Sequence, residues 1–221
     1  MKFKVVSGSL VIVAFLVLGG ALGADKYISS KVASRVQEKL PRASDVHVSI
    51  PISNVASDIT SNSIKSARVK IGHYMISGNS LTPSLSIVAK GITKSQPTII
   101  DDLSVVATIP LATIEYLSGF GKAQIVGDAL RVTSGLPGGG QAILLPKFSN
   151  NQFYFQLLSV SAWGKQVPAA LLPASIQADL KARSLRNLSF PKGLNETSIS
   201  LSANGLSIHL RGTKFPLDNL F

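Results

Sequence analysis

The run from Val5 to Leu22 contains no charged residue, follows Lys2 and Lys4, and meets its first acid at Asp25. At 1.5 Å per residue, about 20 apolar residues cross a hydrocarbon core of roughly 30 Å, so this stretch is long enough to span a bilayer as a helix. The two lysines on its short N-terminal flank favour a cytoplasmic location for that end and place the following chain outside. The run is longer than a usual signal-peptide core of ~7–15 residues, yet Ala21-Leu22-Gly23 before Ala24 offers the small residues that a signal peptidase accepts. Residues 1–23 are thus expected to be a transmembrane anchor or a signal segment, with residues 24–221 forming an extracytoplasmic domain.

Composition narrows what that domain can be. Apolar residues make up 45% of the chain and charged ones 15%, with many Ser, Thr and Gly, a balance that favours packed β-structure over disorder. Cysteine is absent, which excludes a disulfide framework, N-terminal lipidation on Cys, thiol catalysis and Cys-based zinc. Lys and Arg number 22 against 11 acids, a net charge of +11 that favours anionic partners. The cations are scattered, and a domain outside the cytoplasm rarely meets a duplex, so nucleic acid is not an expected partner.

Hydrophobic periodicity then places the elements. Ile28, Val32, Val36 and Leu40 recur every fourth residue, giving an amphipathic helix from Ala24 that Pro41 stops. Val46, Val48 and Ile50 before Pro51, Ala67-Arg-Val-Lys-Ile71, Tyr74 to Ile76, Leu85 to Ala89 and Leu103 to Ile109 read as strands, with Gly78-Asn79 as a turn and a helical turn over Ile52 to Ile59. Pro110 opens a short helix through Leu117. Gln124 to Thr133 is expected as one strand with a bulge at Gly127-Asp128, followed by the Gly-rich loop Gly135 to Gly140 and strands Ala142 to Leu145 and Phe153 to Val160. A second helix, Ala169 to Arg183, carries Leu172, Ile176 and Leu180 at four-residue spacing. Thr197 to Ala203 and Leu206 to Arg211 close the chain as a hairpin around Asn204-Gly205. The expected fold is α+β, a strongly curved antiparallel sheet wrapped on long helices.

Catalytic patterns are scarce. His47, His73 and His209 are far apart in sequence and show no metal-ligand spacing. Asp101-Asp102 is the one acidic pair, and neighbours on a strand face opposite ways, which suits a turn or surface role better than acid–base work. The Gly-rich loop lacks the Lys-Ser/Thr of a phosphate loop, and no Gly-x-Ser-x-Gly elbow occurs. No cofactor, metal or enzymatic activity is expected.

Five segments carry a resemblance: Asp25 with the Val32-Ala-Ser-Arg-Val-Gln37 helix, Leu103-Ser-Val-Val-Ala-Thr-Ile-Pro-Leu111, Gly164-Lys-Gln-Val-Pro168, Leu188-Ser-Phe-Pro-Lys-Gly-Leu194, and Asn204-Gly-Leu-Ser-Ile-His-Leu-Arg-Gly212. Together with the apolar N-terminus their order resembles the LmeA-like phospholipid-binding proteins of actinobacteria. The resemblance implies a tubular lipid-binding-like fold and a phospholipid-binding protein of the cell envelope acting in lipid or lipoglycan biogenesis. It would sit in the cell membrane with its domain outside, or in a periplasm-like space after signal cleavage.

A curved sheet on a helix leaves an apolar groove in which acyl chains gain about 0.8 kcal/mol per methylene. Candidate wall residues are Phe153, Phe155 and Leu157 on one strand, Trp163 beside them, and Leu172 and Ile176 on the second helix, with Arg183 and Arg186 available to a phosphate. Plain core packing for the apolar six and a solvated surface for the two arginines are the competing readings. The competing functions are a structural partner of an envelope glycosyltransferase and a lipid-acting enzyme. N-terminal sequencing of the chain purified from membranes tests the anchor: retention predicts residues upstream of Ala24, whereas a start at Ala24 marks a released carrier.

Overall fold

A computed structural model describes residues 43–49, 51, 63–74, 82–93, 95, 97–118, 121–133, 140–149, 152–187 and 192–216. The apolar run Val5 to Leu22, the helix expected over Ala24 to Leu40, Ile50, the turn of helix over Ile52 to Ile59, Ile76, Gly78-Asn79 and most of the Gly-rich loop lie outside the described residues. Among the described residues no helix is long and apolar enough to cross a membrane.

Strands dominate. β1 (Ala43–Ser49), β2 (Ser63–Tyr74), β3 (Ser84–Thr93) and β4 (Ile99–Ile109) are followed by helix α1 (Leu111–Ser118). Next come β5 (Ala123–Val126), β6 (Ala129–Thr133), β7 (Gln141–Ser149), β8 (Gln152–Ala162) and β9 (Lys165–Pro168). A 3-10 turn (Ala169–Leu171) leads to helix α2 (Ala174–Ser184), then β10 (Arg186–Asn187), β11 (Asn195–Ser202) and β12 (Gly205–Pro216). One six-stranded sheet has the order β1-β2-β3-β4-β12-β11, and the other runs β10-β8-β7-β6-β5 with β9 on β8. The chain divides into two compact units, one within residues 43–108, 192–198 and 208–216 and the other within 109–187 and Ile199–Ser207.

The expected α+β architecture, a strongly curved sheet wrapped on long helices, is therefore corrected. The two described helices have 8 and 11 residues, and the two antiparallel sheets neither close nor curl strongly. Part of the reason is Pro173. Its ring disfavours helical backbone at the preceding residue, and Leu172 is extended at φ −91°, ψ 152°. The helix expected over Ala169 to Arg183 thus splits into a 3-10 turn and a helix beginning at Ala174. Pro110 acts as anticipated, because a proline at a helix entrance costs no intrahelical hydrogen bond, and its carbonyl accepts from Thr113 N at 3.0 Å.

In the first unit the alternation is one-sided. Ala67 pairs with Ala89 and Ala89 with Leu103, Val69 with Ile87 and Ile87 with Val105, and all of these are buried. Farther along the ladder the buried positions change parity: Ile64, Ile92 and Ile100 form a cross-strand row and are buried in their turn. The register is the same on both sides, so no residue has been inserted. The change coincides with Gly91, whose φ of +62° bends β3, and a Cβ there would lie 2.8 Å from that of Asp101.

The second unit is held by Ile114 on α1, Leu130 and Val132 on β6, Leu144 on β7, alternate residues of β8, and Leu206. Gly127-Asp128 is the two-residue turn between β5 and β6, pairing Val126 with Ala129, where a bulge in one strand was expected. A left-handed Gly127 makes the chain reverse there instead of merely widening. The last two strands are joined by Ala203-Asn204, one residue earlier than the expected Asn204-Gly205, and Gly205, which opens β12 at φ +121°, leaves no room for a side chain: an added Cβ would overlap the Ile109 carbonyl, its carbon 2.9 Å away. Gly127 has the same kind of backbone with open space around it. Gly205→Ala is thus expected to cost roughly 3 kcal/mol or more and Gly127→Ala about 1 kcal/mol, an ordering that chemical denaturation followed by circular dichroism checks.

Candidate functional site

Phe153, Phe155 and Leu157 alternate along β8 and enter the buried cluster, all less than a tenth exposed. The two phenylalanine rings meet edge to face, 5.1 Å apart at 81°. Leu172 is partly buried against the same cluster. The structure brings these four together and leaves two apart, since Ile176 is 46% exposed and Trp163 is 82% exposed. Because α2 starts only after Pro173, its inward positions are Gln177, Leu180 and Ser184. Gln177 Nε2 donates to the Ala169 carbonyl at 2.8 Å, and Phe155 N donates to Ser184 Oγ at 3.0 Å, which ties α2 to β8. Arg183 lies on α2, and Arg186 lies on β10 opposite Phe153; their side chains are outside the described residues.

Trp163 sits at the tip of the β8–β9 hairpin, where Ala162 pairs with Lys165. Trp163 at φ 50° and Gly164 at φ 74° are both left-handed, the requirement of a two-residue type I′ turn that Asn-Gly meets best. A bulky aromatic in this conformation is an outlier that costs about 1–2 kcal/mol. The chain's single tryptophan is thus both strained and offered to solvent.

A second feature occupies the outward face of β1–β4 in the other unit. His47, Lys70, Ser86 and Val106 form one cross-strand row, and Ser49, Arg68, Val88 and Ser104 form the next. Arg68 and Lys70 stand about 7 Å apart along β2 by strand geometry. A cleft of about 330 Å³ opens beside Lys70, lined also by Asp45, His47, Gly72, Ser84, Ser86 and Thr108. Asp45 is left-handed at φ 55°, a conformation that Asp tolerates better than most residues. His47 Nδ1 donates to its backbone carbonyl at 3.2 Å, and its carboxylate accepts from His73 Nδ1 at 3.2 Å. Gly72 lies opposite, where a Cβ would come within 2.8 Å of the Asp45 Cβ.

These groups do not constitute a metal centre: among the described residues no three His, Cys, Asp or Glu side chains are placed to hold an ion. Asp102 is held by Arg211 Nε at 2.9 Å, while Asp101 lies against Gly91.

No protein-family model matches the chain. Neither a curated protein nor a solved structure matches it with significance.

The grouping of His47 and His73 around Asp45 escaped sequence reasoning because it needs the β1–β2 register, which joins residues 28 apart. The signal at Trp163 was present as a Trp-Gly pair between two alternating runs. Replacing the aromatic by the residue this turn prefers tests the strain: Trp163→Asn is expected to stabilise the fold by roughly 1 kcal/mol and raise the melting temperature by a few degrees, read by differential scanning calorimetry. An unchanged or lowered midpoint would remove the argument from strain.

Proposed function

We propose that the chain is a non-catalytic lipid-binding protein of the cell envelope, held at the membrane by Val5 to Leu22 with its domain outside the cytoplasm, and that it engages anionic phospholipid. The observation that carries this reading is Trp163. Tryptophan combines a large apolar ring with one N–H donor, which suits the boundary between headgroups and acyl chains. A rigid hairpin tip presents it without other apolar side chains to hide it, and the local strain is accounted for by a partner at that position. The net charge of +11 supports an anionic surface as that partner, because juxtamembrane cations are attracted by about 1 kcal/mol each.

The single tryptophan makes the test direct, since all indole emission comes from position 163. The full chain is reconstituted into nanodiscs of phosphatidylcholine alone or with phosphatidylglycerol. In the anionic discs, emission is expected to shift to the blue and to be quenched by acyl-brominated lipid. Salt near 1 M, where the Debye length is about 3 Å, should weaken both effects. Emission indifferent to lipid composition and to bromination would end this reading.

A further inference from the structure

We propose that the cleft beside Lys70 is a binding site for a phosphate ester, and, resting on the lipid-binding reading above, that its occupant is a phospholipid headgroup. Its size favours a headgroup: about 330 Å³ lies at the small end of ligand pockets and has no room for long acyl chains. Its chemistry favours phosphate. Lys70 lines the cleft from β2, the second strand of its sheet, and forms no ion pair among the described residues. Asp45, the carboxylate at the rim, is instead engaged by His73 at 3.2 Å. Arg68, next along the same face of β2, adds a second cation with no acidic partner among the described residues.

A carbonyl only accepts, so the 3.2 Å contact fixes a proton on His47 Nδ1 and leaves Nε2 of the neutral ring as an acceptor, suited to a hydroxyl on the alcohol part of the ester. The left-handed backbone of Asp45 turns that carbonyl toward the ring. Ser84 and Ser86 on β3 add hydroxyl donors, and the absence of a side chain at Gly72 makes room for Asp45 at the rim. A point cation with neutral hydroxyl donors around it recognises phosphate as a charge and does not require the planar fork of arginine.

The test uses the full chain in phosphatidylcholine nanodiscs, titrated calorimetrically with sn-glycerol 3-phosphate, the headgroup without its chains, and separately with inorganic phosphate. Glycerol 3-phosphate is expected to bind. Lys70→Gln should weaken it by roughly tenfold and His47→Gln by a smaller factor, with Lys122→Gln on the other unit leaving it unchanged. All three positions are exposed, and circular dichroism confirms folding of each variant. Binding that Lys70→Gln leaves intact overturns the site. Inorganic phosphate binding as tightly as the ester overturns the headgroup assignment. If glycerol 3-phosphate fails to bind while Trp163 emission still responds to anionic discs, only this inference falls. If it binds through Lys70 while Trp163 ignores lipid, this site stands and the membrane reading falls.

Discussion

The alternation of side chains from Ala67 to Ile71 on β2, and along the stretches of β3 and β4 paired with it, is the constraint on which the first unit depends. Burial of Ala67, Val69 and Ile71 against the equivalent rows of β3 and β4 selects one register, and each large aliphatic side chain contributes roughly 1.5–3 kcal/mol. A slip by one residue would expose all of them at once. The same register decides what lies outside. With Ala67, Val69 and Ile71 inside, Arg68 and Lys70 are forced onto the outward face, and His47 is set directly across from Lys70. The cationic face is thus a consequence of core formation, enforced by the same free energy that folds the sheet.

Left-handed residues modify that regular lattice at defined points. Gly91 sits where the buried positions change parity, Asp45 turns a carbonyl toward His47, and Trp163 closes a hairpin. Glycine fills such a position at little steric cost, and aspartate at a modest one. Tryptophan has neither excuse. Of the three, Trp163 is the one whose side chain works against its backbone, and its exposure means that no described packing offsets the strain.

Individual elements were legible in the sequence because their information is local, whereas the architecture was not. Alternation located β2, β3, β4 and β8, Pro110 located α1, and Asn204-Gly205 located the last hairpin to within one residue. The mistakes arose where two local signals competed. At residues 169–183 a four-residue apolar spacing outweighed Pro173, although a proline constrains its predecessor sterically and a spacing of three residues is weak support. At Gly127-Asp128 the sequence fits a turn and a bulge alike, because a left-handed glycine serves either, and only the pairing of Val126 with Ala129 distinguishes them. The cleft was not legible at all. It joins β1, β2, β3 and β4 through pairings that no single window contains, and its histidines lack any short spacing.

Energetics limit what the tryptophan tip achieves by itself. A buried aromatic removes about 150–250 Å² from water, which at roughly 25 cal/mol per Å² is at most 4–6 kcal/mol. A hairpin tip buries only part of its ring, and even a whole myristoyl chain holds a protein to a membrane only marginally. Tip insertion alone would therefore be transient. Under the proposed function a second attachment is required, and a tether supplies it by holding the domain at high effective concentration beside the bilayer. With a tether present, the tip and the cationic face need not provide affinity. Under that proposal each acts as a weak, reversible contact, which is what a protein handling individual lipids requires.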